Sequence, residues 1–226
     1  MLNRHGAREM AVMTVTAAAI AVPAVALGHP LLAVAAGLAL VAGLAFFRDP
    51  PRRLPDGLAP GDLISPADGV IHAVERMSAH PALPPELGGD VLVIRVFLSV
   101  LNVHVNRSPA DGTVRSVTPR EGAYLDARKP EAARRNASVL TVLDLGASAP
   151  HPGRPVGIRQ ITGLVARRIV CPLEPGDALA RGERFGLIKF GSSTELIVPL
   201  ELAPEARVEV GDRVRAGRTV LATIGG

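Results

Sequence analysis

Asp68, His104 and Ser192 are residue types that together can turn a hydroxyl into a nucleophile toward a carbonyl. A serine hydroxyl is weak until a base takes its proton, and histidine titrates near neutral pH. A carboxylate bonded to the other imidazole nitrogen fixes the tautomer and supports the charged ring. Ser192 follows Gly191 in GERFGLIKFGSSTELIVP, where an apolar strand (Phe185 to Phe190) stops and another strand-like run (Thr194 to Val198) starts. His104 lies between Val103 and Val105 in FLSVLNVHVNRSPADG, and Asp68 precedes Gly69 in ISPADGVI. Each also has an ordinary reading: a turn serine, a satisfied core or rim histidine, a Pro-Ala-Asp-Gly turn. Spacing alone leaves open whether the fold brings the three to one place.

The elements that must position them follow from composition and pattern. With 226 residues and 48% apolar content, the chain can build one good-sized core, or one core and a small appendage. Aromatics are 3% with no Trp, so stacking platforms for single-stranded nucleic acid are absent. The net charge is +4, but the arginines are scattered and form no basic tract. A mildly basic surface suits an anionic membrane. The lone Cys171 excludes an intrachain disulfide and a multi-cysteine metal site, and it reads as an inert buried thiol.

No charged residue occurs from Ala11 to Phe47. Two apolar runs, Ala11–Leu27 and Leu31–Phe47, flank Gly28-His29-Pro30. As helices they reach roughly 25 Å each, slightly short of a bilayer core. Arg4 and Arg8 precede the first run, and Arg48, Arg52 and Arg53 follow the second. Basic residues on both sides predict a helical hairpin at residues 1–47 with both ends cytoplasmic. The rivals are a shallow interfacial anchor and a cleaved signal peptide at Ala24-Val25-Ala26; a second apolar run directly after that site argues against cleavage. Residues 48–60 hold four prolines and read as an extended linker.

From residue 61 the pattern is β-dominated (α+β), a single domain to residue 226. Strands are expected at Val70–Val74, Val91–Val100, Thr113–Val117, Ser138–Leu143, Val156–Val170, Gly186–Phe190, Leu196–Val198, Val208–Val210 and Val220–Ile224, with one helix near Glu131–Asn136. GDALARGERF at Gly176 and GDRVRAGRTV at Gly211 form an internal repeat of Gly-Asp turns. These resemble the hairpins of barrel-sandwich (biotinyl/lipoyl-carrier) domains. A carrier lysine is missing: the loops hold Arg181 and Arg215, and Lys189 lies inside a strand.

FFRDPPR, SPADG, FLSVLNVHVNRSP, QITGLVARRIVC and GERFGLIKFGSSTELIVP, in that order, resemble phosphatidylserine decarboxylase, specifically its short branch common in archaea and many bacteria. The resemblance runs from the apolar N-terminus to about residue 200. It implies a proenzyme that cleaves itself between Gly191 and Ser192 into fragments 1–191 and 192–226, with Ser192 the precursor of a covalent pyruvoyl cofactor. It implies that Asp68 and His104 are the acid and histidine of the self-cleaving triad, with no metal. Two positions depart from the family pattern. Arg107 stands where longer members have a second histidine, which leaves its duties to His104. Ser193 stands where the short branch often has arginine.

The implied reaction is decarboxylation of phosphatidylserine to phosphatidylethanolamine, with His104 as proton donor, at the cytoplasmic face of the cell membrane. The partners implied are the lipid substrate, the two fragments of the same chain and, as is common in the family, a second copy as homodimer; nucleic acid is not among them. Arg159, Arg167 and Arg168 are candidates for the phosphate, with salt bridging or solvation as the ordinary reading. Two rival functions stay open. One is a pyruvoyl decarboxylase of a soluble amino acid, which requires no anchor. The other is a membrane-tethered β module that binds without catalysis.

Overall fold

The computed structural model describes residues 6–78, 83, 87, 89–164, 168–189 and 192–225. The chain forms two compact units, Met1–Pro51 and Arg52–Gly226. In the first, the two apolar runs are helices, α1 (Ala7–Ala26) and α2 (Pro30–Phe46). Gly28, at φ 75°, turns the chain between them, and Pro30 opens α2, where its missing N–H costs nothing. The helices approach closely: a Cβ at Gly43 would lie 2.0 Å from Met13 Cε. Most of their large side chains stay exposed, Leu31 at 84% and Val22 at 70%. Among the described residues α1 alone is long and apolar enough to cross a bilayer, with a mean hydropathy of 1.7. That is a weak indication of a membrane.

The second unit is mostly β. Its strands are β1 (Asp62–Ile64), β2 (Gly69–Met77), β3 (Val91–Leu98), β4 (Val105–Arg107), β5 (Gly112–Arg120), β6 (Ser138–Leu145) and β7 (Pro155–Ile161). They continue with β8 (Arg168–Val170), β9 (Ala178–Leu179), β10 (Arg184–Lys189), β11 (Ser192–Pro199), β12 (Pro204–Ala206), β13 (Arg213–Val214) and β14 (Val220–Ile224). The short helix α3 (Pro130–Arg135) falls where one was expected. Among the described residues, an eight-stranded antiparallel sheet runs β13-β2-β3-β11-β7-β6-β5-β9, beside two three-stranded sheets, β4-β10-β8 and β1-β14-β12. The two Gly-Asp repeats supply β9 and β13, the outer strands of the large sheet. Gly176 and Gly211 both take positive φ, 96° and 102°, and Asp177 and Asp212 each accept the backbone N–H three residues back.

The main core lies on one face of this sheet, with Ile94, Val96 and Leu98 of β3, Ile158 of β7 and Leu196 and Val198 of β11. Val93, Leu140, Val142 and Ile197 form a second cluster on the other face. Strand β11 is therefore buried along all of its length. It starts at Ser192 rather than at the expected apolar residues, and Thr194 and Glu195 find buried partners there.

Two other expectations are corrected. Val156–Val170 is not one strand; β7 and β8 belong to different sheets. Val208–Val210 is not a strand; Asp212 accepts the Glu209 N–H to close a turn there, and the strand beside β14 is β12. Phe190, Gly191 and Arg167 lie outside the described residues.

Gly69 opens β2 where a Cβ would sit 2.0 Å from the Phe97 carbonyl oxygen of β3. Gly69→Ala is therefore expected to destabilise the fold by about 1–3 kcal/mol, read as a lowered urea midpoint by circular dichroism.

Candidate active site

Ser192 is the first residue of β11, paired with Leu98 on one side of the strand's ladder. Side chains alternate along a strand. Ser192, Thr194 and Leu196 therefore share the main-core face, whereas Ser193 and Glu195 share the other. This separates the adjacent serines. Ser192 is fully buried, and its Oγ has no hydrogen-bond partner. A buried hydroxyl left unpaired costs about 1–3 kcal/mol, so its retention asks for a reason beyond folding.

His104 immediately precedes β4 and is also fully buried. Its carbonyl accepts the Ile188 N–H at 3.2 Å, which fixes it against β10 near the end that leads to Ser192. Its Nδ1 lies 2.9 Å from the Asn102 carbonyl oxygen. A carbonyl only accepts, so Nδ1 carries the proton and Nε2 is the basic nitrogen of the neutral ring.

Asp68 is 8% exposed, and its carboxylate does not bond His104. Oδ2 accepts from Arg52 Nη2 at 2.7 Å and Oδ1 from the Ala216 N–H at 2.8 Å. The expected carboxylate–imidazole bond is thus not made; the Asn102 carbonyl holds the imidazole instead. The three segments are nevertheless joined. Arg107 N–H donates to the Pro66 carbonyl at 3.0 Å, and Asn106 Nδ2 donates to Thr194 Oγ1 at 3.1 Å.

On the opposite face, Glu195 receives Arg95 Nε at 2.8 Å and Arg159 Nη1 at 3.3 Å. Register explains this: Arg95, Glu195 and Arg159 are direct neighbours across β3, β11 and β7. Burial pushes the Arg159 guanidinium below its ordinary pKa, and the Glu195 charge pulls it back up. Among the described residues no cluster of three or more His, Cys, Asp or Glu could hold a metal.

The phosphatidylserine decarboxylase family model matches residues 42–222. The proenzyme of that name from Rhodopirellula baltica is 41% identical over 222 residues, 97% of this chain and 86% of that protein. The one from Desulfotalea psychrophila is 41% identical over 187 residues, 83% of this chain and 81% of that protein. For Nitrosomonas europaea the identity is 44% over 180 residues, covering 79% and 76%. The chain belongs to the phosphatidylserine decarboxylase family. It is a decarboxylase of the kind made as a proenzyme, and the family's reaction is pyruvoyl-dependent decarboxylation of phosphatidylserine.

In this decarboxylase Arg107, at the second-histidine position, donates from Nη1 to the Gly182 carbonyl at 3.0 Å and packs against Gly217. It braces the two repeat hairpins. Arg159, a phosphate candidate, is an ion-pair partner of Glu195; Arg168 is exposed on β8. Cys171 is half-buried, with its thiol pKa raised by burial.

Sequence reasoning missed Arg52, Asn102, Asn106, Thr194 and Gln160. One overlooked signal was available: Ser-Pro-Ala-Asp-Gly occurs at 65–69 and again at 108–112. Asp111 accepts the Arg181 N–H at 2.9 Å, as Asp68 accepts that of Ala216.

Glu195→Gln leaves two buried guanidinium groups without their counter-charge. It is expected to destabilise the chain by about 3–5 kcal/mol, measured by urea denaturation.

Proposed function

We propose that this chain decarboxylates phosphatidylserine to phosphatidylethanolamine at the cytoplasmic face of the membrane after cutting itself between Gly191 and Ser192. The reading includes the short branch of the family and a homodimer, both of which rest on the resemblance. It takes residues 1–47 as the membrane-associated hairpin, 48–60 as the linker and 61–226 as the catalytic domain. The observation that carries the site assignment is the fully buried, unpartnered Ser192 Oγ at the head of β11.

Self-cleavage uses the chain's own groups. His104 Nε2 takes the Ser192 hydroxyl proton while Nδ1–H stays bonded to the Asn102 carbonyl. The oxygen attacks the Gly191 carbonyl carbon, the C–N bond to Ser192 breaks, and an ester forms with the amine released. Loss of the Ser192 Cα proton expels the Gly191 carboxylate as the end of fragment 1–191. The remaining dehydroalanine takes up water and loses ammonia, which leaves a pyruvoyl group on fragment 192–226. Asp68 contributes by pinning turn 65–69 to Ala216 and Arg52.

An orphaned hydroxyl in a buried site suits a residue that is consumed. A pyruvoyl group at position 192 supplies a carbonyl that takes up the electron pair left by departing CO2. The surrounding main-core face excludes water, which favours loss of a charged carboxylate. In this reading His104 Nε2 returns the proton.

A lipid substrate is supported by the sheet end where Ser192 sits. Leu98 and Ile161 pair with Ser192 and Ser193, and just beyond them Val100, Leu101 and Leu164 are exposed at 51%, 79% and 62%. Exposed apolar side chains together mark an interaction surface.

Intact mass spectrometry is expected to show two fragments divided at 191/192, the smaller beginning with a pyruvoyl group. Ser192→Ala should stay full length and His104→Ala should split slowly. A parent chain that remains whole, or a Ser192→Ala chain that still splits there, defeats the assignment. Leu101→Glu is expected to leave self-cleavage unchanged while lowering turnover of phosphatidylserine in vesicles by about tenfold, since a desolvated carboxylate opposes apolar contact.

A further inference from the structure

We propose that Asn106 is a positioning residue whose one carboxamide sets the mutual placement of the three segments that bear Asp68, His104 and Ser192. This rests on the self-cleavage reading above. Asn106 is fully buried. Its Nδ2 donates to the Pro66 carbonyl at 3.2 Å and to Thr194 Oγ1 at 3.1 Å, and its Oδ1 accepts from Gln160 Nε2 at 2.9 Å. Pro66 lies two residues before Asp68, Asn106 two after His104, and Thr194 two after Ser192. In extended chain, residues two apart share a face. The amide group therefore ties the turn that bears Asp68 to the segments of His104 and Ser192, two residues from each reactive side chain.

The orientation of the amide is dictated by its surroundings. The Pro66 carbonyl only accepts, so the Asn106 NH2 must face it. Oδ1 then faces Gln160, which must present Nε2. The remaining Gln160 Oε1 is buried without a partner. Gly186, paired with Asn106 across β4 and β10, gives this side chain room: a Cβ there would lie 3.0 Å from Gln160 Nε2. The Pro66 carbonyl also takes the Arg107 N–H at 3.0 Å, so side chain and backbone fix the same junction. Low-dielectric surroundings strengthen each of these bonds.

Neither Asn106 nor Thr194 touches the reacting atoms in this scheme; they act through the placement of Ser192 Oγ and His104. A misplacement of about 1 Å costs on the order of a hundredfold in rate.

The test is the rate of self-cleavage of newly synthesised full-length chain, quenched in denaturant and resolved on gels. The variants are Asn106→Ala, Thr194→Val and Thr194→Ser, with Val142→Ala as a destabilised control from the second core. Asn106→Ala and Thr194→Val are expected to slow cleavage by roughly tenfold to a hundredfold. Thr194→Ser, which keeps the hydroxyl, should return close to the parent rate. Val142→Ala should lose stability and cleave like the parent. If Asn106→Ala fails to fold, the Thr194 pair decides.

Cleavage of Thr194→Val at the parent rate overturns the inference, as does a Thr194→Ser chain as slow as Thr194→Val. Slowing that only tracks stability, as calibrated by Val142→Ala, overturns it too. In each of those cases the parent still splits and the self-cleavage reading survives. A parent chain that never splits removes both.

Discussion

A run of polar residues, Ser192-Ser193-Thr194-Glu195, opens a strand that is buried on both faces. Burial of such groups is costly unless each finds a partner, and much of the domain is arranged around that demand. Glu195 draws Arg95 and Arg159 from the neighbouring strands. Thr194 draws Asn106, and through it Gln160 and the Pro66 turn. The Ser192 Oγ is buried without a partner. The packing that gives Thr194 and Glu195 their partners leaves the Ser192 hydroxyl unpaired. Alternation along the strand sends the two serines to opposite faces, so adjacency in sequence becomes separation in space.

The neighbourhood of Asp68 is one half of a duplicated arrangement. Ile64 N–H donates to the Pro109 carbonyl and Arg107 N–H to the Pro66 carbonyl, both at 3.0 Å, so each Ser-Pro-Ala-Asp-Gly turn braces the chain leading into the other. In each turn the serine hydroxyl bonds the carbonyl two residues on. Each aspartate then receives an N–H from one of the Gly-Asp repeat hairpins. The copies differ in their arginine. Asp111 stands 4.0 Å from Arg181 of the hairpin itself, with its side chain 48% exposed. Asp68 takes Arg52, which lies in the Pro-rich segment, and its side chain is 11% exposed. A turn that is structural in one copy has been buried in the other, where it lies beside the histidine strand.

Much of this was legible because it is local. The apolar runs gave the two helices, and β-branched stretches gave most strands, since period and propensity act within a few residues. The Gly-Asp turns were readable because glycine is needed at φ near 100°. The polar start of β11 was not legible: alternation cannot flag a strand whose buried residues are Ser, Thr and Glu. Their partners come from residues 88 to 100 positions away, as with Asn106–Thr194 and Arg95–Glu195. The resemblance points to Ser192, His104 and Asp68, and the expected Asp68–His104 bond is replaced in the fold by Arg52 and Ala216 on one side and Asn102 on the other. Which lone pair meets which donor is decided by tertiary packing, and no short motif encodes it.

The placement of β11 bears on what a cut ahead of Ser192 would leave behind. The strand is laddered to β3 along its full length and to β7 from Ser193 to Ile197. The same C-terminal stretch supplies β14 to the centre of one small sheet and β13 to the rim of the large one. The piece after residue 191 is therefore woven through two sheets and is not clipped to an edge. To leave, it would have to unzip a central strand from both neighbours at once, which amounts to unfolding the domain. Such a pair would behave as one molecule with a nick. Its halves would be born together and stay matched for life, and a severed copy would not be mended by a loose fragment from another chain.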